Sequence, residues 1–231
     1  MKYILDMKEE PRFYASYGSF MHSLIERYYR GELTKEEMKM KFLFDFSSKV
    51  LGRRPSEKTV ASYIQKGKDY LNNFEEFPFE MVAVEDVIHF DLNQTPFLAV
   101  LDYVGRGEDG LVIVDNKSRE LRPRSGRKKP TKNDMEIDEM LKQLYIYSAA
   151  IKSKYGEFPK KLCFNCFKNQ KFIEEEFQED KYKEAVEWAM KMIEEIKDSE
   201  TEAFYPSVEF FKCYYLCGLS EECCYWEYRE K

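Results

Sequence analysis

Phe13, Tyr17, Phe20, Met21, Leu24, Ile25 and Tyr28 recur at steps of three and four. That spacing predicts an amphipathic helix over residues 12–30, with Gly31 as its stop. Thr34 followed by Glu37 is a capping box that opens a second helix, and Ser56 after Pro55 opens a third running toward Phe74. The period then shortens. "FEMVAVEDVIHFDL" (79–92), "PFLAVLDYVGR" (96–106) and "GLVIVDNKS" (110–118) are β-branched and aromatic runs divided by "NQT" and "GEDG". They are predicted to form three consecutive antiparallel strands.

Beyond a polar stretch, Asn133 with Glu136 opens a helix to about Lys154. "KLCFNCFKN" with "KFIEEEF" makes another hairpin, and a further amphipathic helix covers roughly 180–197. The tail "FYPSVEFFKCYYLCGLSEECCYW" has no clear period and reads as an irregular lobe. The order of elements implies an α/β fold in which a central mixed sheet is flanked by helices.

At 231 residues the chain is expected to be one domain: a helical segment over 1–76, a core over 77–178, and a helix with a cysteine-rich segment over 179–231. A hydrophobic fraction of 43% supplies a core, and a charged fraction of 35% keeps the surface wet, so disorder is excluded. No apolar run approaches the roughly 20 residues that span a bilayer, and the start "MKYILDMKEEPRF" is too short in apolar residues for a signal peptide. A cytoplasmic location follows as the expectation, which makes the six cysteines metal ligands or packing residues rather than disulfides. The net charge of -6 argues against wholesale attraction to nucleic acid and leaves room for a local basic patch.

If "GEDG" is a hairpin turn, residues whose numbers sum to 217 face one another, and Asp102 falls opposite Asp115. Lys117 shares the face of Asp115. Two carboxylates at such a separation repel unless a hard divalent cation, Mg2+ or Mn2+, sits between them. A lysine beside that cation could position or deprotonate an attacking water, or offset charge building on a phosphate. Phosphodiester hydrolysis is the chemistry such a set serves. Acidic-x-Lys also occurs at Asp6, Glu37, Glu179 and Glu195, on helical surfaces or tails. Asp115 differs from these in its apolar strand and its facing aspartate.

Asp102, then "IVDNKS" with Asp115 and Lys117, then "QLYIY" with Gln143 and Tyr147, together resemble the PD-(D/E)XK nuclease superfamily, in particular its RecB-like branch. "GSFMHSLIERYY" supplies the early histidine of that pattern as His22, and "VAVEDV" supplies the first-strand glutamate as Glu85. The likeness covers roughly residues 15–150 and departs from the pattern in having Leu101 where a proline or glycine often precedes the aspartate. It implies a restriction-endonuclease-like core. It also implies that His22, Asp102, Asp115 and the backbone carbonyl of Asn116 hold the metal. Lys117 would act in catalysis, Glu85 in or beside the site, and Gln143 and Tyr147 on the substrate or the metal's surroundings.

Lys117, Arg119, Arg122, Arg124, Arg127, Lys128, Lys129 and Lys132 face a single acid, Glu120, between them. A solvated loop is the usual reading of such a run. Leaving directly from the Asp115 strand, it is expected instead to grip phosphates flanking the scissile one. Cys213, Cys217, Cys223 and Cys224 could ligate Zn2+ or a 4Fe–4S cluster. Some RecB-like nucleases carry such a cluster, but with one cysteine upstream of the histidine helix, and this chain has none before Cys163. Cys163 and Cys166 point to opposite faces of a strand and are expected to be packing residues.

The function expected is metal-dependent hydrolysis of DNA, with action at ends and a preference for single strands as what the resemblance implies. It would belong to repair, recombination, phage replication or CRISPR adaptation, alongside protein partners of a recombination or adaptation complex and no membrane. A non-catalytic nucleic-acid-binding or assembly subunit is the alternative, disfavoured because costly buried charges at Asp102, Asp115 and Lys117 have no use in it. Hydrolysis of a small phosphodiester suits the basic run less well than a polymer does.

Overall fold

The computed structural model describes residues 6–198 and 209–223. Helices α1 (Phe13–Tyr29), α2 (Lys35–Lys49) and α3 (Glu57–Asn72) form the N-terminal layer. The Thr34–Glu37 capping box is present, and Ser56 accepts the Thr59 amide at the start of α3. Phe13, Tyr17, Met21, Leu24 and Ile25 of α1 are buried against Phe42, Phe46, Tyr70 and Leu71. α2 and α3 meet so closely that a Cβ at Gly67 would stand 2.3 Å from Phe42 Cζ, which is why a glycine occupies a helix interior.

Strands β1 (Glu80–Leu92), β2 (Thr95–Gly107), β3 (Gly110–Lys117), β4 (Lys161–Cys166) and β5 (Lys171–Glu176) form one sheet in the order β1-β2-β3-β4-β5. Neighbours are antiparallel except β3 and β4, which run parallel and are joined by the crossover helix α4 (Lys132–Tyr155). This is the mixed, helix-flanked sheet expected. Helix α5 (Glu179–Asp198) packs on α4, and among the described residues no helix is long and apolar enough to cross a membrane.

The N-terminus of α4 differs from expectation. Its capping box is Thr131 with Asp134, not Asn133 with Glu136. Asp134 accepts from Ser125 N, Ser125 Oγ, Thr131 N and Thr131 Oγ1 at 2.6 to 2.9 Å, more than Asn133 could offer. Asn133 is drawn instead to the backbone of Arg122, and Glu136 to Arg119.

The described C-terminal segment makes a π-helical turn at Lys212–Leu216 and a 3-10 turn at Ser220–Glu222. It lies across the start of α1. Arg12, 5% exposed, donates to Cys217 O at 2.7 Å and Ser220 Oγ at 2.9 Å, while Tyr14 meets Phe211 and Tyr215.

α4 crosses the sheet obliquely. Asp138 near its start meets Arg124, which is also held by Glu175 of β5. Gln143 reaches Lys117 at the end of β3, and Lys154 and Tyr155 at the far end hold Asp86 of β1. One helix therefore reaches β3 and β1 directly and β5 through Arg124.

Candidate metal centre

β1 and β2 lose their regular alternation at one level. Ile88, Phe90 and Leu92 of β1 and Ala99 and Leu101 of β2 enter the core under α4, whereas Val84 and Tyr103 enter the opposite one. An unbroken strand would keep positions four or two apart on one face. The change falls at Glu85 and Asp102, which stand level with each other between the pairs Val84↔Tyr103 and Asp86↔Leu101. Glu85 has φ 48, the left-handed region that costs an L-residue about 1 kcal/mol.

The β2/β3 ladder runs from Gly107↔Gly110 to Tyr103↔Val114, the register expected, and ends there. Asp102 and Asp115 are the next residues on each strand. In place of a further rung, Asp102 Oδ2 accepts the backbone N–H of Asn116 at 2.7 Å. The same oxygen lies 3.4 Å from His22 Nδ1 on α1. Ligand atoms of His22, Glu85 and Asp102 all lie within 4.8 Å of one another, and among the described residues this is the one such set of three.

Asp115 is 7% exposed. Lys117 Nζ stands 2.6 Å from its Oδ2 and donates to Gln143 Oε1 at 3.1 Å, and Gln143 Nε2 donates to Tyr147 Oη at 3.0 Å. The approach of Lys117 to Oδ2 is poorly aligned for a hydrogen bond, which leaves this buried oxygen without a directed donor.

Titration behaviour reflects the same surplus of negative charge. Burial, with the charge of Asp102 adding to it, pushes Asp115 up to about 6 against the pull of Lys117. Burial and then Asp102 and Glu26 raise Glu85. Burial by itself would lower His22, but the hydrogen bond and charge of Asp102, helped by Asp115 and Glu85, leave it raised. A hard divalent cation fits this donor set: one imidazole, clustered carboxylates, and a buried oxygen with no aligned donor.

The structure thus gathers His22, Glu85, Asp102, Asp115, Lys117, Asn116, Gln143 and Tyr147 into one neighbourhood. Glu85 joins His22 and Asp102 in the tight set, while Asp115 sits just outside it against Lys117. Asp86, equally eligible by sequence, is committed to Lys154 and Tyr155.

The basic stretch divides. Arg119 pairs with Glu136, and Arg124 with Asp138 and Glu175. Arg122, Arg127, Lys128, Lys129 and Lys132 are exposed. Gln143 lies eleven positions after Lys132, roughly 16 Å along α4. Lys132, the last of them, therefore stands well away from Gln143 along the helix. Asp134 anchors this loop by its four hydrogen bonds, which also hold its carboxyl well below the usual range. The aspartate three residues after Thr131 was the sequence signal for it.

Cys163 and Cys166 are fully buried in different cores and are packing residues, with thiols pushed up chiefly by burial. Cys213, Cys217 and Cys223 belong to no set of three ligand atoms among the described residues; Cys224 lies outside them.

A family model described as PD-(D/E)XK nuclease superfamily matches residues 1–225. No curated protein matches the chain. Among solved structures, the chain is similar to a candidate exonuclease from Eubacterium rectale at 14% identity and TM-score 0.53, covering 92% of this chain and 83% of that one. The likeness is one of fold: the restriction-endonuclease-like α/β core with its helix-flanked sheet.

Proposed function

Since the chain belongs to the PD-(D/E)XK nuclease superfamily, we propose that it is a metal-dependent deoxyribonuclease that trims single-stranded DNA ends. The observation that carries this reading is the His22–Glu85–Asp102 set standing beside a buried Asp115 and its Lys117. His22, Glu85 and Asp102, with Asp115 and the Asn116 carbonyl, would hold Mg2+ or Mn2+. Such an ion would lower the pKa of a bound water and offset charge on a phosphate. Lys117 Nζ donates to Gln143 Oε1 and stands beside Asp115 as an ion pair, and a remaining N–H would serve a phosphate oxygen or the attacking water. Tyr147 fixes Gln143 in turn.

The side chains of Asp102 and Asp115 are 12% and 10% exposed and sit between α1 and α4. A flexible single strand can lead a phosphate into such a slot, whereas a stiff duplex must first fray at an end. The exposed cations at the start of α4 would hold phosphates some nucleotides away. DNA-end processing in repair, recombination, phage replication or CRISPR adaptation is the setting this suits. For the C-terminal segment we propose Cys213, Cys217, Cys223 and Cys224 as ligands of a 4Fe–4S cluster or Zn2+, on their spacing, to be checked by absorption and metal analysis of anaerobically purified protein.

The test is degradation of single- and double-stranded DNA labelled at either end, with Mg2+ or Mn2+, by wild type, Asp115→Ala and Lys117→Ala. Metal-dependent shortening from ends, lost in both variants, is expected. Activity that persists in both, or in EDTA, overturns the assignment.

A further inference from the structure

The face of the sheet away from α4 carries a polar group that the chemistry above does not use. Asn116 and Asn165 are partners across the parallel β3/β4 ladder, each 5% exposed. Asn165 Nδ2 donates to Asn116 Oδ1 at 2.7 Å and to Tyr70 Oη of α3 at 2.7 Å, which accounts for both of its hydrogens. Buried amides in an otherwise apolar interior need a reason beyond strand pairing, because two apolar side chains would serve that purpose without polar groups to satisfy.

Asn116 supplies the reason. Its side chain is held on the rear face by Asn165, and its backbone N–H is held in the plane of the sheet by the Asp102 carboxylate of β2. Holding one residue by both its side chain and its backbone amide removes its freedom to rotate about the strand axis. The peptide so fixed follows Asp115, and its amide orients Asp102. We infer that Asn165 is a positioning residue for the metal centre: through Asn116 it sets the orientation of the Asp102 carboxylate and of the residue 116 carbonyl. Tyr70 ties this bond to the N-terminal helical layer, the layer that also delivers His22. This inference rests on the metal-dependent reading above. Groups that orient metal ligands from behind typically change metal affinity by about 10- to 100-fold when removed.

The experiment measures Mn2+ binding by calorimetry in the absence of DNA, and amide hydrogen exchange by NMR in metal-free protein. Asn165→Leu, close in size, is expected to raise the Mn2+ dissociation constant about 10-fold. The Asn116 amide should then exchange about 10-fold faster relative to that of Val114. Tyr70→Phe keeps the Asn116–Asn165 bond and is expected to shift the Mn2+ dissociation constant less than about 3-fold. Should Asn165→Leu not fold, Asn116→Ala carries the same test with the same two outcomes. A folded variant with wild-type Mn2+ affinity and wild-type exchange at residue 116 overturns the inference. Wild type that binds no Mn2+ overturns the metal-dependent reading instead, and exchange at residue 116 then still decides whether Asn165 fixes that peptide.

Discussion

Replacing Asp102 by asparagine should destroy activity and yet stabilise the metal-free protein. The oxygens of Glu85 and Asp102 lie within 4.8 Å, with Asp115 buried close by. Two full charges about 4.8 Å apart at an effective dielectric constant of about 20 repel by about 3.5 kcal/mol. Solvent on the open side of Glu85, and partial protonation of the cluster, bring the relief on neutralising Asp102 to about 1 kcal/mol. Asparagine Oδ1 can still accept the Asn116 amide, so the hydrogen bond at 2.7 Å is kept. His22, whose pKa is raised, offsets part of the repulsion when protonated, and the comparison therefore belongs on the alkaline side of its titration. For a chain of this size about 1 kcal/mol corresponds to a rise in Tm of about 2 to 4 °C in EDTA. Mn2+ at about one hundred times its dissociation constant should stabilise wild type by about 2.7 kcal/mol and Asp102→Asn by almost nothing. Scanning calorimetry with EDTA and with Mn2+ reads all four states. An Asp102→Asn protein that melts below wild type in EDTA, or gains as much from Mn2+, refutes the account of the site as an unneutralised carboxylate cluster.

Other outcomes follow from the same geometry. At Glu85, the glycine variant should be more stable than the alanine variant by about 1 kcal/mol in chemical denaturation, because only glycine holds φ 48 without cost; equal stabilities would show the backbone there to be unstrained. Lys117→Met should lower single-turnover cleavage by about 100-fold or more while the protein still binds DNA in a filter assay. Neutralising Arg127, Lys128 and Lys129 together should raise KM, leave kcat within about 2-fold, and flatten the salt dependence of binding by about 0.7 for each phosphate no longer held. A fall in kcat alone would mean that the loop reaches the reacting phosphate. Asp134 is depressed in the folded protein, so its contribution is complete above about pH 4 and is lost as pH falls toward the lowered value. The loop it holds should become protease-sensitive in acid, and Asp134→Asn should show that sensitivity already at neutral pH.

The strands and the hairpin register were legible because period-two runs and a short "GEDG" turn leave little freedom in pairing. Asp115 and Lys117 on one face followed from the same arithmetic. The histidine of the site was within reach only through resemblance, since nothing in the periodicity of α1 says that His22, and not a neighbour, turns toward β2. Where sequence reasoning placed a cap at Asn133, two candidate boxes overlapped, and the choice rested on long-range partners at Ser125 and Arg122 that spacing does not encode. The charge run was visible but its pairing was not: Asp138 and Glu175, distant in sequence, claim Arg124. Asn165 drew no notice, because an asparagine inside a buried strand acquires meaning only once its neighbour across the ladder is known.

The change of face at Glu85 and Asp102 divides the long β1–β2 hairpin into a base bonded to β3 and an arm, residues 86–101, whose strand ladder pairs only with itself and which rests on α4. The carboxylates stand at the junction of arm and base, level with each other across the two strands, so whatever holds Glu85 to Asp102 also ties the strands together at the level where the arm begins. An ion in the site would act as a rivet through the joint, so that loading the centre stiffens a lever whose tip at Asn93 and Gln94 lies far from any reacting atom. Amide exchange along 86–101 should slow on addition of Mn2+ even though none of those residues is a ligand, and the nuclease would be most easily unzipped from that tip when its centre is empty.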